Sequence, residues 1–269
     1  MSIAVVGSLS RDLPAGGPAR VGGTPYYAAC ALRFLGARAT IVTKCAEGDR
    51  GLLLRPTVAL GVPVNWRRAG TTASFAYEYV DDVRRMTVEA IGEPWTDDDA
   101  RGWVAEAIGK TRWLHLAPLL RSDFPAGTVR RLARGRRVLL DGQGLVRPGR
   151  TGPLELAADF DPEILRHVTI LKLAEEEALA LVESIDERSL GTLGVDEIIV
   201  THGIRGASVL ADGQLRRVAA HPVEHVDPTG SGDAFAVTYL CARRSGAAPL
   251  AAARRATALV GHLLAGRRS

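Results

Sequence analysis

The chain has 269 residues, 46% hydrophobic and 24% charged, with a formal net charge of +4. That length buries one large core, or a core with a small appendage, and the balance excludes a disordered chain. No apolar run reaches bilayer length, and residues 1–12 (MSIAVVGSLSRD) lack the basic start and apolar stretch of a signal peptide. A cytoplasmic enzyme with no membrane partner is expected.

The elements alternate in chain order. Residues 3–7 read as a strand and Thr24-Pro25 opens a helix, with threonine as its cap and proline at the first helical position. Ala28, Ala31, Leu32 and Leu35 repeat at helical spacing, Gly36 ends the helix, and residues 40–43 form the next strand. Residues 72–80 and 84–90 read as a β-hairpin around Asp81-Asp82, with Phe75, Tyr77 and Tyr79 on one face that needs cover. That cover is either a site beneath the hairpin or a second copy of the chain.

Strands at 112–116, 138–141, 168–172 and 197–201 then alternate with helices near 125–133 and 175–182. Two closing helices fall at about 234–244 and 250–264. The pattern predicts an α/β fold, a mainly parallel sheet with helices on both faces.

Cys30, Cys45 and Cys241 are far apart and odd in number, which argues against disulfides or structural zinc. Arginine supplies most of the positive charge, densest at Arg130, Arg131, Arg134, Arg136 and Arg137, then Arg243-Arg244 and Arg254-Arg255. No aromatic residues interleave with these groups, so they read as solvated helix faces and nucleic acid is not an expected partner. His115 and His202 at strand ends, and His221 and His225 around Pro222, read as ordinary hydrogen-bonding residues.

The sharpest signal is DPTGSGDAF at 227–235, a glycine loop running into an apolar helix. Gly230, Ser231 and Gly232 can turn consecutive N–H groups toward an anion, and the helix start adds unpaired donors. Asp233 at the helix entrance is either a plain cap or a base that takes a proton from an attacking hydroxyl. No Gly-Lys-Ser/Thr follows the glycines, so this is not a Walker loop. Its place near the C-terminus also excludes a dinucleotide fingerprint.

DPTGSGDAF resembles the second signature, D-T-x-G-A-G-D, of the ribokinase-like (PfkB) carbohydrate kinases. Gly22-Gly23-Thr24-Pro25 through Leu35-Gly36 resembles the first. The order of elements matches over essentially the whole chain. The resemblance implies a single kinase domain over 1–269, with a β-lid drawn mainly from about 8–22 and 70–92. It implies ATP and Mg²⁺ as donor and metal, Asp233 as base, and Gly230, Ser231 and Gly232 as an anion hole. Asp12 would hold acceptor hydroxyls, with Gly22, Gly23, Thr24 and Tyr27 beside it; a surface-turn aspartate is the alternative for Asp12.

On the nucleotide side the resemblance implies Lys172, Glu177, Thr201, Gly203, Gly206 and Thr257. Glu177 would position Mg²⁺ through water, and Asp227 and Thr229 lie where some relatives bind a monovalent cation such as K⁺. The alternative for Glu177 is a solvent-facing member of Glu175–Glu177, with only the spacing favouring it over its neighbours, and for 201–206 a strand-end turn. Tyr27 and Ala174 stand where many relatives have asparagine, and Thr257 near another such position. VLLDGQ (138–143), LKLAEEE (171–177) and the proline of the loop resemble the myo-inositol kinase branch. The implied acceptor is a small polyol, a cyclitol ahead of a sugar or nucleoside, with a homodimer through the lid as a further implication. Arg84 and Arg85 could serve a phosphorylated acceptor. A non-catalytic, ligand-sensing relative is the rival reading.

Overall fold

The computed structural model describes residues 2–80, 83–220, 223 and 227–266, with side chains left aside at 79, 80, 83 and 84. The hairpin turn Asp81-Asp82, the Arg84 and Tyr79 side chains, and His221, Pro222 and His225 therefore lie outside the described residues.

The strands in chain order are β1 (Ile3–Gly7), β2 (Ser10–Pro14), β3 (Arg20–Gly22), β4 (Ala39–Ala46), β5 (Val64–Ala69), β6 (Ala73–Val80) and β7 (Val83–Ala90). They continue as β8 (Trp113–Ala117), β9 (Arg137–Asp141), β10 (Gly152–Pro153), β11 (Ile170–Ala174), β12 (Glu197–Thr201), β13 (Ala207–Ala211) and β14 (Gln214–Val218). Among the described residues nine of them form one sheet in the order β14-β13-β12-β11-β9-β8-β1-β4-β5. All its pairings are parallel except β12–β13 and β13–β14. The antiparallel pair β13–β14 and the edge strand β5 were not anticipated. The segments at 64–69 and 207–218 mix arginines into short runs, and edge position rather than apolar pattern decides them.

The helices are α1 (Thr24–Leu35), α2 (Arg55–Ala59), α3 (Asp97–Arg101), α4 (Trp103–Ile108), α5 (Ala126–Ala133), α6 (Gln143–Val146), α7 (Glu175–Leu181), α8 (Glu187–Gly191), α9 (Ser231–Arg244) and α10 (Pro249–Ala265). Successive strand residues serve opposite layers, as the two-residue pleat requires. Val6, Leu116, Leu140 and Val200 join one buried cluster with Trp95, Val104 and Val129. Val5, Leu139, Ile170 and Ile199 join another with Ala28, Leu32, Val237 and Ala253, from α1, α9 and α10.

Among the described residues five strands form a second sheet, β10-β7-β6-β2-β3, over the carboxyl ends of the main sheet. Phe75 and Tyr77 of the hairpin are buried, and Phe75 packs in a cluster with Leu119 and Leu120 of the main body. At these positions the apolar face is covered by the chain itself.

Two local expectations change. Gly23, not Thr24, caps α1, and having no side chain it makes no cap hydrogen bond; Thr24 is the first helical residue and its hydroxyl donates to Asp233 instead. Nor are all the arginine groups solvated. Arg243 forms a paired contact with Glu197 of β12, its Nε and Nη2 within 3.1 Å and 2.9 Å, and Tyr239 also donates to Glu197. Arg136 donates to the carbonyls of Thr111 and Leu132. The Glu197 contacts pin α9, whose first turn carries the glycine loop, to the sheet. Glu197→Ala leaves the buried Tyr239 hydroxyl and the half-buried Arg243 Nε without an acceptor and is expected to cost about 3 kcal/mol, read as a lower urea midpoint.

Candidate active site

The helix after the glycine loop begins three residues earlier than its sequence suggests. Ser231 and Gly232 already form the first turn of α9, Gly230 is its N-cap, and Asp233 is the third helical residue. The turn needs glycine at 230 on two counts. Its φ is 78°, and a Cβ there would lie 2.1 Å from the ring of Tyr27. Tyr27, on the first turn of α1, therefore packs directly on the loop.

The two helix starts also meet through side chains. Thr24 Oγ1 donates to Asp233 Oδ1 over 2.6 Å, joining residues 209 positions apart. Below them lie Asp141 at the end of β9, Lys172 in β11 and His115 in β8, all buried. His115 is mid-strand rather than at a strand end, and its Nε2 lies 2.7 Å from Asp141 Oδ2. Lys172 Nζ lies 3.3 Å from Asp141 Oδ1.

These contacts set the charges. Burial, then the like charge of Asp141, pushes the Asp233 carboxyl from an ordinary 3.8 to about 6, against the Thr24 hydrogen bond and the positive field of Lys172. Burial alone would raise Asp141 too, but Lys172 and His115 outweigh it and hold that carboxyl below the usual range. Burial alone would lower Lys172, yet Asp141, Glu177 and Asp233 together leave it raised. The centre thus holds an ionised Asp141–Lys172 pair beneath a carboxylate of unusually high proton affinity.

A cleft of about 170 Å³ opens over this centre. Asp12 and Ser10 of β2 form one wall, with Ser10 donating to Asp12 Oδ1 over 3.1 Å. Gly22 of β3 lies opposite in register to Ser10, and a Cβ on it would lie 2.1 Å from Asp12 Oδ1. The glycine thus leaves room for that carboxylate. Gly23, Thr24 and Tyr27 continue this wall, while Phe75 and Met86 of the hairpin close over it.

On the other wall stand Lys172, Glu177 and Arg147. Glu177 is buried, so it is not a solvent-facing member of its run; its Oε2 accepts from the Ala174 N–H at 2.8 Å. Its Oε1 has a 3.5 Å contact with Arg147 Nη2, and Arg147 Nε is buried without a hydrogen-bond partner. Among the described residues no group of three or more His, Cys, Asp or Glu could hold a metal. One buried carboxylate, Glu177, lining the same cleft as the glycine loop nevertheless fits a cation that arrives with phosphate oxygens and water.

Several expected residues lie elsewhere. Asp227 is exposed and accepts from the Thr229 N–H and hydroxyl at 2.9 Å and 2.5 Å, a turn that shapes the loop; Thr229 itself lines the cleft. Thr201 donates to the Leu173 carbonyl at 3.2 Å, and Gly203 and Gly206 have positive φ in the following turn. Thr257 is on α10, its hydroxyl buried and without a partner. None of Thr201, Gly203, Gly206 and Thr257 lines the cleft. Arg147, Gln143, Asp141 and Ser10 were not assigned a role in the site from the sequence, and His115 read only as an ordinary hydrogen-bonding residue. Only the D-x-Q spacing at the end of β9 pointed to this region.

A sheet with crossover helices, a smaller sheet over its carboxyl ends and a glycine loop that enters a helix beside a half-buried carboxylate are the features of a phosphoryl-transfer type of site. The model of the pfkB family of carbohydrate kinases matches residues 19–264, and the chain belongs to that family. It is 36% identical over 118 residues to inositol 3-kinase of Oryza sativa subsp. japonica, a match covering 40% of this chain and 28% of that protein. A fructokinase of Klebsiella pneumoniae is 26% identical over 257 residues, covering 88% and 82%. The chain thus spans little more than a quarter of the rice protein's length.

A solved structure of a pyrophosphate-dependent kinase in the ribokinase family, complexed with a pyrophosphate analog and myo-inositol, shares the fold. Its TM-score is 0.85 at 22% identity, covering 98% of this chain and 95% of that one. Arabidopsis thaliana ribokinase complexed with ribose and ATP does so at a TM-score of 0.73 and 20% identity, covering 98% and 92%. Among the described residues no helix is long and apolar enough to cross a membrane.

The raised Asp233 carboxyl has a thermodynamic consequence. Below about pH 4 it is protonated whether the chain is folded or not. Between about pH 4 and 6 only the unfolded chain ionises it, so the fold loses stability as pH rises through that window. Asp233→Asn escapes this loss and is expected to be about 2 kcal/mol more stable than wild type near neutrality. That is the ~3 kcal/mol of the shift, discounted for the edge open to the cleft. Urea midpoints should converge as the pH falls toward about 4; a difference independent of pH would contradict the burial argument.

Proposed function

We propose that the chain is a cytoplasmic kinase that transfers a phosphoryl group from Mg·ATP to a hydroxyl of a cyclitol or sugar, with Asp233 as general base. The observation that carries this is the position of Asp233. It is held by Thr24 at the start of α9, next to the Gly230 and Gly232 backbone and across a cleft from Asp12. A carboxyl with a proton affinity near 6 is ionised at neutral pH yet basic enough to accept the hydroxyl proton as that oxygen attacks.

The rest follows from the walls. Asp12 can accept two hydroxyl hydrogen bonds and so fixes a polyol against the Tyr27 side. The cleft is smaller than the roughly 300–1,000 Å³ of drug-sized sites, which favours one small ring over a nucleoside. The N–H groups at the start of α9, with Lys172 and Arg147, face charge on the transferring group. Mg²⁺, positioned by Glu177 through water, would neutralise phosphate charge. The hairpin β6–β7, as a lid, would exclude water with Phe75 and Met86. Thr201, Gly203, Gly206 and Thr257 are proposed as nucleotide contacts beyond the cleft, and Asp227 with Thr229 as the seat of a monovalent cation such as K⁺.

The acceptor favoured is a myo-inositol-like cyclitol. Support comes from the inositol 3-kinase match and the solved relative with myo-inositol, alongside the cleft's size. A pyrophosphate donor is the second reading, because the nucleotide-side residues lie outside the cleft and a solved relative of this fold is described as pyrophosphate-dependent.

The test is turnover with cyclitols, sugars and nucleosides, with ATP and pyrophosphate as separate donors. Stimulation by one cyclitol is the expected outcome; silence with every acceptor, together with ligand-induced stabilisation, would favour the ligand-sensing relative. Asp233→Asn should lower kcat by about 10²–10⁴-fold with donor affinity largely kept, and near-normal activity would remove the central claim. Arg147→Met should raise the donor KM by about 10–100-fold while the acceptor KM changes little, read from initial rates with each substrate varied.

A further inference from the structure

The three buried groups beneath the loop are more elaborate than a general base requires. His115, Asp141 and Lys172 come from three adjacent strands, β8, β9 and β11. Both oxygens of Asp141 are engaged, Oδ2 by His115 Nε2 at 2.7 Å and Oδ1 by Lys172 Nζ at 3.3 Å. His115 Nδ1 is buried without a hydrogen-bond partner, so the imidazole serves Asp141 through one nitrogen.

A buried ion pair is a poor way to stabilise a strand end, because desolvation cancels most of the attraction and a packed apolar pair does as well. Its location points to another use. Lys172 lines the cleft together with Asp233, and its ammonium lies 3.0 Å from the point that a Cβ on Gly232 would occupy. The tether to Asp141 holds this flexible side chain at the floor of the cleft.

We propose that Asp141 is a positioning residue, oriented by His115, that anchors the Lys172 ammonium beside Gly232 and thereby sets the proton affinity of the base and the charge offered to the phosphoryl group. The inference rests on the reading of Asp233 as the base.

Groups facing Asp233 come from every neighbouring element. Thr24 on α1 donates to it; His115, Asp141 and Lys172 lie below; Asp12, Arg147 and Glu177 stand on the cleft walls. Asp141 and Lys172 act on it with opposite sign. Neutralising Asp141 removes a like charge and releases Lys172 toward Asp233, and both effects favour the ionised base. Neutralising Lys172 leaves two carboxylates without their counter-charge, which favours the protonated one.

The experiment is a carbon-detected NMR titration of the aspartate carboxyls in wild type, Asp141→Asn, Lys172→Met and the double variant, assigned with Asp233→Asn. It is paired with kcat/KM against pH. The Asp233 titration should move to lower pH in Asp141→Asn and to higher pH in Lys172→Met, each by about one pH unit, and the acid limb should follow. Shifts in the same direction, or none, overturn the proposal.

Because the titration needs no turnover, the expected shifts in a protein with no kinase activity would sink the base reading and leave the electrostatic coupling. Normal activity with unmoved titrations would sink the coupling alone. Should an unpaired charge keep a single variant from folding, the double variant, neutral at both positions, carries the test. A folded double variant should lose about a hundredfold in kcat for want of the ammonium, and wild-type kcat there overturns the proposal.

Discussion

The placement of one half-buried carboxylate, Asp233, in the first turn of α9 constrains everything around it. A charge placed there needs partners, and each comes from a different part of the chain. The Thr24 hydroxyl reaches it from α1, near the other end of the sequence, and Lys172 and Asp141 approach from the sheet below. Tyr27 fills the space above Gly230 that any side chain at 230 would claim. The two helix starts can meet only because α1 and α9 pack on the same face of the sheet, in the cluster that also holds Leu32 and Val237. Family signatures about 200 residues apart are therefore one structural unit.

The parallel sheet explains why the unit sits where it does. Carboxyl ends of parallel strands gather at one edge of the body, and the chain turns there into loops that carry function. β9 ends on Asp141, β11 runs from Lys172 toward Glu177, and β1 leads through Ser8 into β2 with Asp12. The small sheet lies over the same edge because β2 belongs to it. A single strand thus delivers the Asp12 carboxylate to the cleft and part of the cover above it. Glu197, bonded to Arg243 and Tyr239, fixes the other end of α9, so the first turn is held from both ends of the helix.

Most of this architecture was legible in the sequence where local pattern and global fold agree. The strands at 3–7 and 197–201, the helix closed by Gly36 and the hairpin at 73–90 follow from periodicity and turn residues. The loop 227–235 was legible because glycine spacing before an apolar helix has few other uses. What stayed hidden depends on contacts between distant segments. Thr24 reads locally as a cap, and only the nearness of Asp233 diverts its hydroxyl. Arg243 reads as a solvated helix residue until Glu197 of a separate strand is placed beside it. Arg147 carries no local signal; it matters because the turn after α6 aims it at Glu177. His115 and Asp141 look like ordinary strand residues, and their meaning comes from strand order, which no local pattern encodes.

The division of the cleft bears on how a fold of this kind accommodates different donors. In the proposed reading the groups that line it, namely the α9 N-terminus, Lys172 and Arg147, meet the phosphoryl group and nothing beyond it. Backbone N–H groups and point charges are indifferent to what is attached to the phosphorus on its far side. Discrimination among leaving groups then has to come from residues outside the cleft, where Thr201, Gly203, Gly206 and Thr257 lie. Acceptor choice would be separate again in that reading, since Asp12 and Tyr27 stand on the opposite wall. Changes at the donor end can accumulate without disturbing Asp233 or its partners. On this argument the Tyr27, Ala174 and Thr257 departures concern selection at either end of the cleft, and the proton-transfer centre between them stays intact.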